Sequence, residues 1–257
     1  MKTPTRSFLT RRSALRLMLG GAGSLAVGAC RSPRSSVDAD GGALVQRPGV
    51  HEQVLSSRGL RYTIAIPNSF VADQAASLIV ALHFGGTVTP FYGRTFLDAL
   101  VGPALQELEA LIVAPDATGG TWSSAQNEAN LLALLDTLQS GYKIDPRRTL
   151  LTGYSMGGAG TWYMAARNQK RFAAALPVSA RPQTDSADIP WEIPLYVIHS
   201  RQDEVVPLGP TETTVNRLKA KGTSVELVVV EGITHFETSR FIVPLKGAVP
   251  WIRKVWA

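Results

Sequence analysis

The sequence predicts an α/β fold in which a mostly parallel central sheet is covered by helices on both faces. Short continuous apolar runs, such as residues 78–84 (LIVALHF), are typical of strands that are buried on both sides. Segments with helical spacing separate successive runs of this kind, which indicates right-handed strand–helix–strand units. The chain has 257 residues, of which 45% are hydrophobic, so it can bury one large core.

Each element follows from its local pattern. Residues 54–66 alternate in polarity around a turn at Ser57-Arg58-Gly59, which predicts a strand pair. Residues 96–110 have helical spacing, and Gly102-Pro103 is expected to break or kink that helix, because proline lacks the backbone donor. Short apolar runs predict further strands at residues 78–84, 111–114, 149–152, 172–178, 195–199 and 225–230. Helical spacing predicts helices at residues 127–138, 156–168, 211–221 and around 252–256.

Residues 1–29 are predicted to be a signal peptide. A basic stretch precedes the uncharged residues 17–29, which are too few to cross a hydrocarbon core of ~30 Å as a helix. Residues 10–16 (TRRSALR) resemble a twin-arginine export signal, although alanine stands where phenylalanine is common. Residues 27–30 (VGAC) resemble a bacterial lipobox, in which cleavage precedes the cysteine and the thiol is acylated. Cys30 is the only cysteine, so the sequence predicts lipid attachment there; a cleaved secretory peptide with a chance cysteine is the alternative.

Residues 30–50 are predicted to be the lipid-attachment site and a flexible tether, because small, polar and charged residues dominate them without a regular period. Residues 51–257 are predicted to form one folded domain. We therefore expect an exported protein on the periplasmic or cell-surface side of a bacterial membrane. The lipid at Cys30 would anchor it to that membrane.

Charge and composition exclude several classes of protein. The net charge of +6 suggests a nucleic-acid binder, but residues 1–29 carry five basic side chains and no acidic one, which leaves +1 for the rest. We therefore expect no nucleic-acid partner. A single cysteine excludes an internal disulfide and a cysteine-based metal cluster. The four histidines lack an H-x-x-x-H spacing, so no metal site is predicted.

The segment Gly153-Tyr154-Ser155-Met156-Gly157 joins a predicted strand to a predicted helix. This G-x-S-x-G pattern is typical of a nucleophile elbow, where a serine stands on a strained turn and glycines let neighbouring backbone pass close. The following helix N-terminus supplies free amide N–H groups for an oxyanion, and the N–H of Met156 is the first candidate donor. A glycine-rich turn with an ordinary capping serine is the alternative, and two suitable partners downstream disfavour it.

Those partners lie in two later loops. Asp203 follows the predicted strand at residues 195–199, so its carboxylate lies at the carboxyl edge of the sheet, where open α/β sheets bind ligands. Glu204 is the rival, and the pattern favours Asp203. His235 follows the last predicted strand and completes the order Ser, Asp, His, in which histidine is the general base and the acid orients it. The other histidines are expected to be structural: His51, His83 and His199.

A second oxyanion donor is expected after the strand at residues 78–84. The segment His83-Phe84-Gly85-Gly86 resembles the His-Gly-Gly motif of esterases, with phenylalanine where glycine is usual. We assign the donor to the N–H of Phe84 or of Gly85. Trp122, in the loop after residues 111–114, is a candidate substrate-binding residue, with packing of its ring on the domain as the equal alternative.

Five segments together look like the α/β-hydrolase superfamily: ALHFGG, IVAPDATGGTW, LLTGYSMGGAGTWYMA, LYVIHSRQDEVVP and VEGITHF. The resemblance covers about residues 52–257. It is nearest to the phospholipase/carboxylesterase branch, which includes acyl-protein thioesterase-like enzymes, and to the related feruloyl and polyhydroxyalkanoate esterases. Dienelactone hydrolases fit less fully, since they use a cysteine nucleophile and position 155 is serine.

The resemblance implies an α/β-hydrolase fold and a serine carboxylesterase that forms an acyl-enzyme and needs no cofactor. Residues 179–192 (SARPQTDSADIPWE) are too short and too polar to form a large apolar cap, so short- to medium-chain esters are the expected substrates. A peptidase and a polymer-degrading or feruloyl-type esterase with the same triad stay open. A tethered binding protein without catalysis is disfavoured, because all three triad residues are present.

Overall fold

The structure, a computed structural model, describes residues 44–257 and folds them around one eight-stranded sheet. In chain order the strands are β1 (Gly49–Leu55), β2 (Leu60–Ile66), β3 (Ala76–Leu82), β4 (Leu111–Pro115), β5 (Ile144–Tyr154), β6 (Ala174–Val178), β7 (Leu195–Ser200) and β8 (Val225–Val230). Across the sheet their order is β1-β2-β4-β3-β5-β6-β7-β8. β2 is antiparallel to both of its neighbours, and all other neighbouring strands are parallel. The predicted α/β fold with a mostly parallel sheet is therefore confirmed.

The helices lie between the strands and after the last one. In chain order they are α1 (Gly93–Phe96), α2 (Gly102–Leu105), α3 (Ala125–Gly141), α4 (Met156–Arg167), α5 (Leu208–Ala220), α6 (Ile242–Lys246) and α7 (Val249–Trp256). A π-helical turn at Leu97–Val101 joins α1 to α2. This irregular turn ends directly before Gly102-Pro103, where a break or kink was predicted, and the backbone stays helical through Val101 and Gly102. Pro103 lies in the first turn of α2, where its missing N–H costs least.

Successive residues of β3 pack on opposite faces of the sheet, which explains its continuous apolar run. Leu78, Val80 and Leu82 belong to a core that α3, α4 and α5 cover. Ile79 and Ala81 belong to a second core, which α1, α2, α6 and α7 cover. Because both faces are buried, residues 78–82 of the strand are all apolar.

The domain begins earlier than the predicted boundary at residue 51. β1 starts at Gly49, which pairs with Ile66 of β2. Before it, Leu44 packs against the core and the side chain of Gln46 donates to the carbonyl of Gly141 at 3.2 Å. The sequence of β1 is polar and has no burial pattern that would predict a strand. Its strand conformation depends on pairing with β2. The last residues of the predicted tether are therefore part of the domain.

The predicted signal peptide, Cys30 and the rest of the tether lie outside the described residues. Within residues 44–257, no helix combines the length and apolarity that a membrane span requires. The connection from β6 to β7 contains turns and neither a helix nor a strand, and the indole N–H of Trp191 closes one turn on the carbonyl of Ser186 at 2.9 Å. This agrees with the expectation that no large cap is inserted there.

Candidate active site

Ser155 stands between β5 and α4 on a sharp turn with φ 54° and ψ −116°. A non-glycine residue with positive φ is strained, and the structure keeps it there by a hydrogen bond from its N–H to the carbonyl of Val178 at 3.0 Å. Ser155 is half-buried, so part of the residue is exposed to solvent. The elbow that the motif predicts is thus present in its geometry.

The glycines of the motif are required by close backbone contacts. A Cβ on Gly157 would lie 1.8 Å from the carbonyl oxygen of Leu82 on β3, and one on Gly153 would lie 2.3 Å from the carbonyl oxygen of Gly157. Gly158 leaves similar room for Ala180, whose Cβ would be 2.5 Å away. No side chain fits at these distances, so α4 can pack tightly against the sheet only with glycine at these positions.

His235 faces Ser155 from the loop after β8. Its Nε2 lies 2.8 Å from Ser155 Oγ, which is a hydrogen-bonding distance for a general base and the hydroxyl it activates. The carbonyl of His235 accepts the hydroxyl of Tyr154, the residue before the serine. His235 is buried, and contacts at both ring nitrogens define the orientation of its imidazole.

Asp203 completes a chain of three side chains. Its Oδ2 lies 2.9 Å from His235 Nδ1, and its side chain is fully buried. The other carboxylate oxygen, Oδ1, accepts the backbone N–H groups of Val205 and Val206 at 3.1 and 2.7 Å. These bonds compensate the buried charge and fix which oxygen faces the imidazole.

Glu204 is the neighbouring carboxylate, and it does not contact the imidazole. Its Oε2 accepts the backbone N–H of His235 at 2.9 Å. Glu204 and Tyr154 thus hold the two polar backbone groups of His235 from opposite sides. Sequence reasoning missed both contacts, although Tyr154 occupies the variable position of the serine motif and Glu204 stood as the rival acid.

His199 lies beneath Asp203 and was expected only to be structural. Its Nε2 donates to the carbonyl of Val206 at 2.8 Å and lies 3.6 Å from Asp203 Oδ2. Burial lowers the pKa of His199, so the ring is neutral near pH 7 and does not compete with His235 as a cation.

Met156, the first predicted oxyanion donor, directly follows Ser155. Met156 is the first residue of α4, so its N–H has no acceptor within the helix. A Cβ built on Gly85 would be 3.8 Å from Met156 Cβ, which brings the loop after β3 next to the start of α4. Both Phe84 and Gly85 therefore stay candidates for the second donor.

His83 holds that loop from beneath. Its Nε2 accepts the N–H of Ala117 at 3.0 Å, so Nδ1 carries the proton and donates to the carbonyl of Phe84 at 2.7 Å. Burial lowers the pKa of His83, which agrees with a neutral ring in this role.

Trp122 is not a wall of the cleft. Its side chain is 1% exposed, its indole N–H donates to the carbonyl of His83 at 2.9 Å, and it packs where Gly160 leaves space. The prediction that Trp122 binds substrate is corrected accordingly: a ring this deep in the core supports the loop after β3 and has no surface for a ligand. His51, the remaining histidine, lies on β1.

The arrangement suits nucleophilic acyl transfer, with a hydroxyl, a base and an orienting acid in hydrogen-bonding contact. Among residues 44–257, no three histidine, cysteine, aspartate or glutamate side chains are grouped so that they could hold a metal ion.

Comparison with known sequences places this site in a described family. The family model for the dienelactone hydrolase family matches residues 100–240, more than half of the chain, and that region contains Ser155, Asp203 and His235. The sequence resemblance had favoured the phospholipase/carboxylesterase branch over the dienelactone hydrolases, and the family match corrects that preference.

Curated relatives agree with the feruloyl branch that the sequence also resembles. A probable feruloyl esterase C of Aspergillus niger is 25% identical over 173 residues, which cover 62% of this chain and 59% of the relative. The feruloyl esterase C of Emericella nidulans is 24% identical over 185 residues, covering 66% of this chain and 65% of the relative. The chain therefore spans about three fifths of the length of these relatives.

Solved structures share the fold. A thermostable esterase superposes with a TM-score of 0.67 at 22% identity, covering 80% of this chain and 62% of the esterase. With the strand order and the helices on both faces, this similarity confirms the predicted α/β-hydrolase fold.

Proposed function

The chain belongs to the dienelactone hydrolase family, and from that premise we propose that it hydrolyses carboxylic esters through Ser155, His235 and Asp203. The observation that carries the proposal is the continuous chain of hydrogen bonds from Asp203 through His235 to Ser155, at 2.9 and 2.8 Å. The strained turn under Ser155 supports it, because such strain persists where the surrounding structure fixes a functional group.

In the acylation step, His235 Nε2 takes the proton of Ser155 as Oγ attacks the ester carbonyl carbon. The bond from Oγ to that carbon forms, and the carbonyl oxygen becomes an oxyanion that the N–H of Met156 and of Phe84 or Gly85 would bind. Asp203 stabilises the imidazolium that forms. His235 then gives its proton to the alcohol oxygen as the carbon–oxygen bond breaks, and the alcohol leaves.

In the deacylation step, water replaces the alcohol. His235 accepts a proton from the water as its oxygen attacks the acyl carbon, and returns that proton to Ser155 Oγ as the acid departs. Every proton moves through one atom, His235 Nε2, so its orientation matters for both halves of the reaction.

The substrate class that we propose is short- to medium-chain esters and aromatic acyl esters of the feruloyl kind. The names of the curated relatives favour the second group. The connection without helix or strand between β6 and β7 favours an open cleft, which suits bulky groups better than long chains.

A fluorophosphonate probe and a panel of esters test the proposal together. We expect the probe to label Ser155 stoichiometrically and the purified protein to hydrolyse nitrophenyl or cinnamate esters faster than peptide anilides. Labelling without ester turnover would refute the esterase proposal, and faster turnover of peptide anilides would favour the peptidase alternative.

Acyl chain length provides a further prediction. Each buried CH₂ is worth about 0.8 kcal/mol in a closed tunnel, and an open cleft forfeits much of that gain. Across nitrophenyl esters from acetate to palmitate, we expect kcat/KM to reach its maximum at or before octanoate. A steady rise beyond octanoate would contradict an open cleft and favour a lipase or lysophospholipase.

We also propose that Cys30 carries a lipid anchor, which is supported by its position in the VGAC segment after an uncharged stretch. Cys30→Ser is expected to move the protein from the membrane fraction to a soluble or unprocessed form, because the acylated thiol is lost. Fractionation of cells that express the full chain measures this, with Ser32→Ala as the control that keeps the cysteine. Unchanged membrane partition of the Cys30 variant would refute lipidation.

A further inference from the structure

Phe236 directly follows the histidine of the site and is the most exposed large hydrophobic residue of the described chain, at 79%. Its ring meets the imidazole of His235 edge to face, with centroids 5.7 Å apart and planes at 86°. Single exposed apolar residues are common on protein surfaces and need no explanation by themselves. This one differs because it lies against the group that must transfer the proton.

The loop that presents Phe236 is held in place by hydrogen bonds. The backbone N–H and the hydroxyl of Thr234 both donate to Glu237 Oε2, at 2.7 and 3.0 Å. Arg240 binds the other oxygen of Glu237 at 2.9 Å, and both polar backbone groups of His235 are bonded as well. The ring is therefore held outward by a fixed loop, and a fixed contact surface costs little ordering when a ligand binds.

The direction of proton transfer determines which part of the ester lies near the ring of Phe236. Acylation joins Ser155 Oγ to the acyl carbon, breaks the bond to the alcohol oxygen, and moves the proton of His235 Nε2 to that oxygen. The alcohol oxygen must come within hydrogen-bonding distance of Nε2, whereas the carbonyl oxygen must point to the N–H of Met156. The alcohol part of the substrate thus lies on the side of His235, where Phe236 is.

We propose that Phe236 is a specificity-determining residue that contacts the alcohol part of the ester. An exposed phenyl ring favours a partner with a flat apolar face, such as an aromatic ring or the C–H face of a sugar. The inference rests on the proposed esterase function, and it concerns the leaving alcohol, whereas the acyl group is selected elsewhere in the cleft.

The test compares two esters of the same acid, namely its methyl ester and its benzyl ester. The acid is the one whose ester is the best substrate in the panel. Methanol and benzyl alcohol have similar acidity, so differences in leaving-group chemistry are small. kcat/KM reports the steps up to alcohol release, in which the alcohol is still present. In Phe236→Ala we expect the benzyl-to-methyl ratio of kcat/KM to fall about five- to tenfold, and in Phe236→Trp to stay near the wild-type ratio.

Val71→Ala is the matched control, because Val71 is also exposed and lies in the loop from β2 to β3, at the opposite end of the sheet. A third arm uses a sugar ester of the same acid. A parallel fall for the sugar ester shows that the ring also contacts sugars, and a fall confined to the benzyl ester limits the contact to aromatic alcohols. A wild-type ratio in Phe236→Ala would overturn the role of Phe236 alone. A wild-type protein that hydrolyses no ester would overturn the proposed function itself.

Discussion

Ser155→Ala is expected to lower kcat/KM for every ester by roughly 10⁴-fold or more, while the protein stays folded. The hydroxyl is the only group at the turn that can form the acyl-enzyme, and the serine side chain has one side-chain partner, His235. Its backbone bond to Val178 is kept in the variant. His235→Ala should cost nearly as much, because the members of such a triad act as a unit.

Steady-state kinetics measure the loss of activity, and thermal unfolding measures whether the variants stay folded. Ser140→Ala is the control, since Ser140 is an exposed serine at the end of α3 that bonds only the carbonyl of Thr137. It should change neither rate nor Tm appreciably. Wild-type-like turnover in the Ser155 or the His235 variant would refute the assignment of the site.

Much of the sheet could be predicted because burial on both faces leaves a strong local pattern. β8 is found at the predicted residues, and the other parallel strands are found close to theirs. β5 starts five residues earlier than its apolar run, at Ile144, which pairs with Ala76 of β3. The unpaired residues 145–148 then interrupt the apolar pattern until the pairing resumes at Thr149. The predicted start of β1, at residue 54, was also too late, because pairing with β2 and not an apolar pattern determines where β1 begins, at Gly49.

The three residues of the site could be predicted because each follows a strand end, and parallel strands bring their carboxyl ends to one edge. The hydrogen bonds that hold these three residues in place could not be predicted from the sequence. Glu204 lies 31 residues before the backbone N–H that it accepts, and Tyr154 lies 81 residues before its partner carbonyl. Such contacts depend on loop conformations that no local pattern encodes.

Trp122 illustrates the limit for single aromatic residues. An indole after a strand is compatible with a pocket wall and with a core position, and the sequence around it favours neither. Its burial depends on the space above Gly160 and on the carbonyl of His83, both distant in the chain. A residue type therefore indicates a role only where its surroundings are also predictable, as they are at Ser155.

Asp203→Asn is expected to lower kcat by about 10⁴-fold, whereas Glu204→Gln should cost less than about tenfold. The reason lies in the two oxygens of Asp203. Oδ1 accepts the N–H groups of Val205 and Val206, so in asparagine the amide oxygen must take that place. The amide NH₂ then faces His235 Nδ1, which has to become an acceptor.

That exchange puts the imidazole proton on Nε2, where the ring can no longer accept the proton of Ser155. If the amide turned the other way, its NH₂ would face two N–H donors, which would cost stability instead. In Glu204→Gln, the side chain keeps an oxygen that accepts the backbone N–H of His235, so the position of His235 changes little and most of the activity remains. Kinetics and Tm of both variants, side by side with the wild type, decide the matter. A Glu204→Gln enzyme slower than Asp203→Asn would mean that the wrong carboxylate has been assigned to the imidazole.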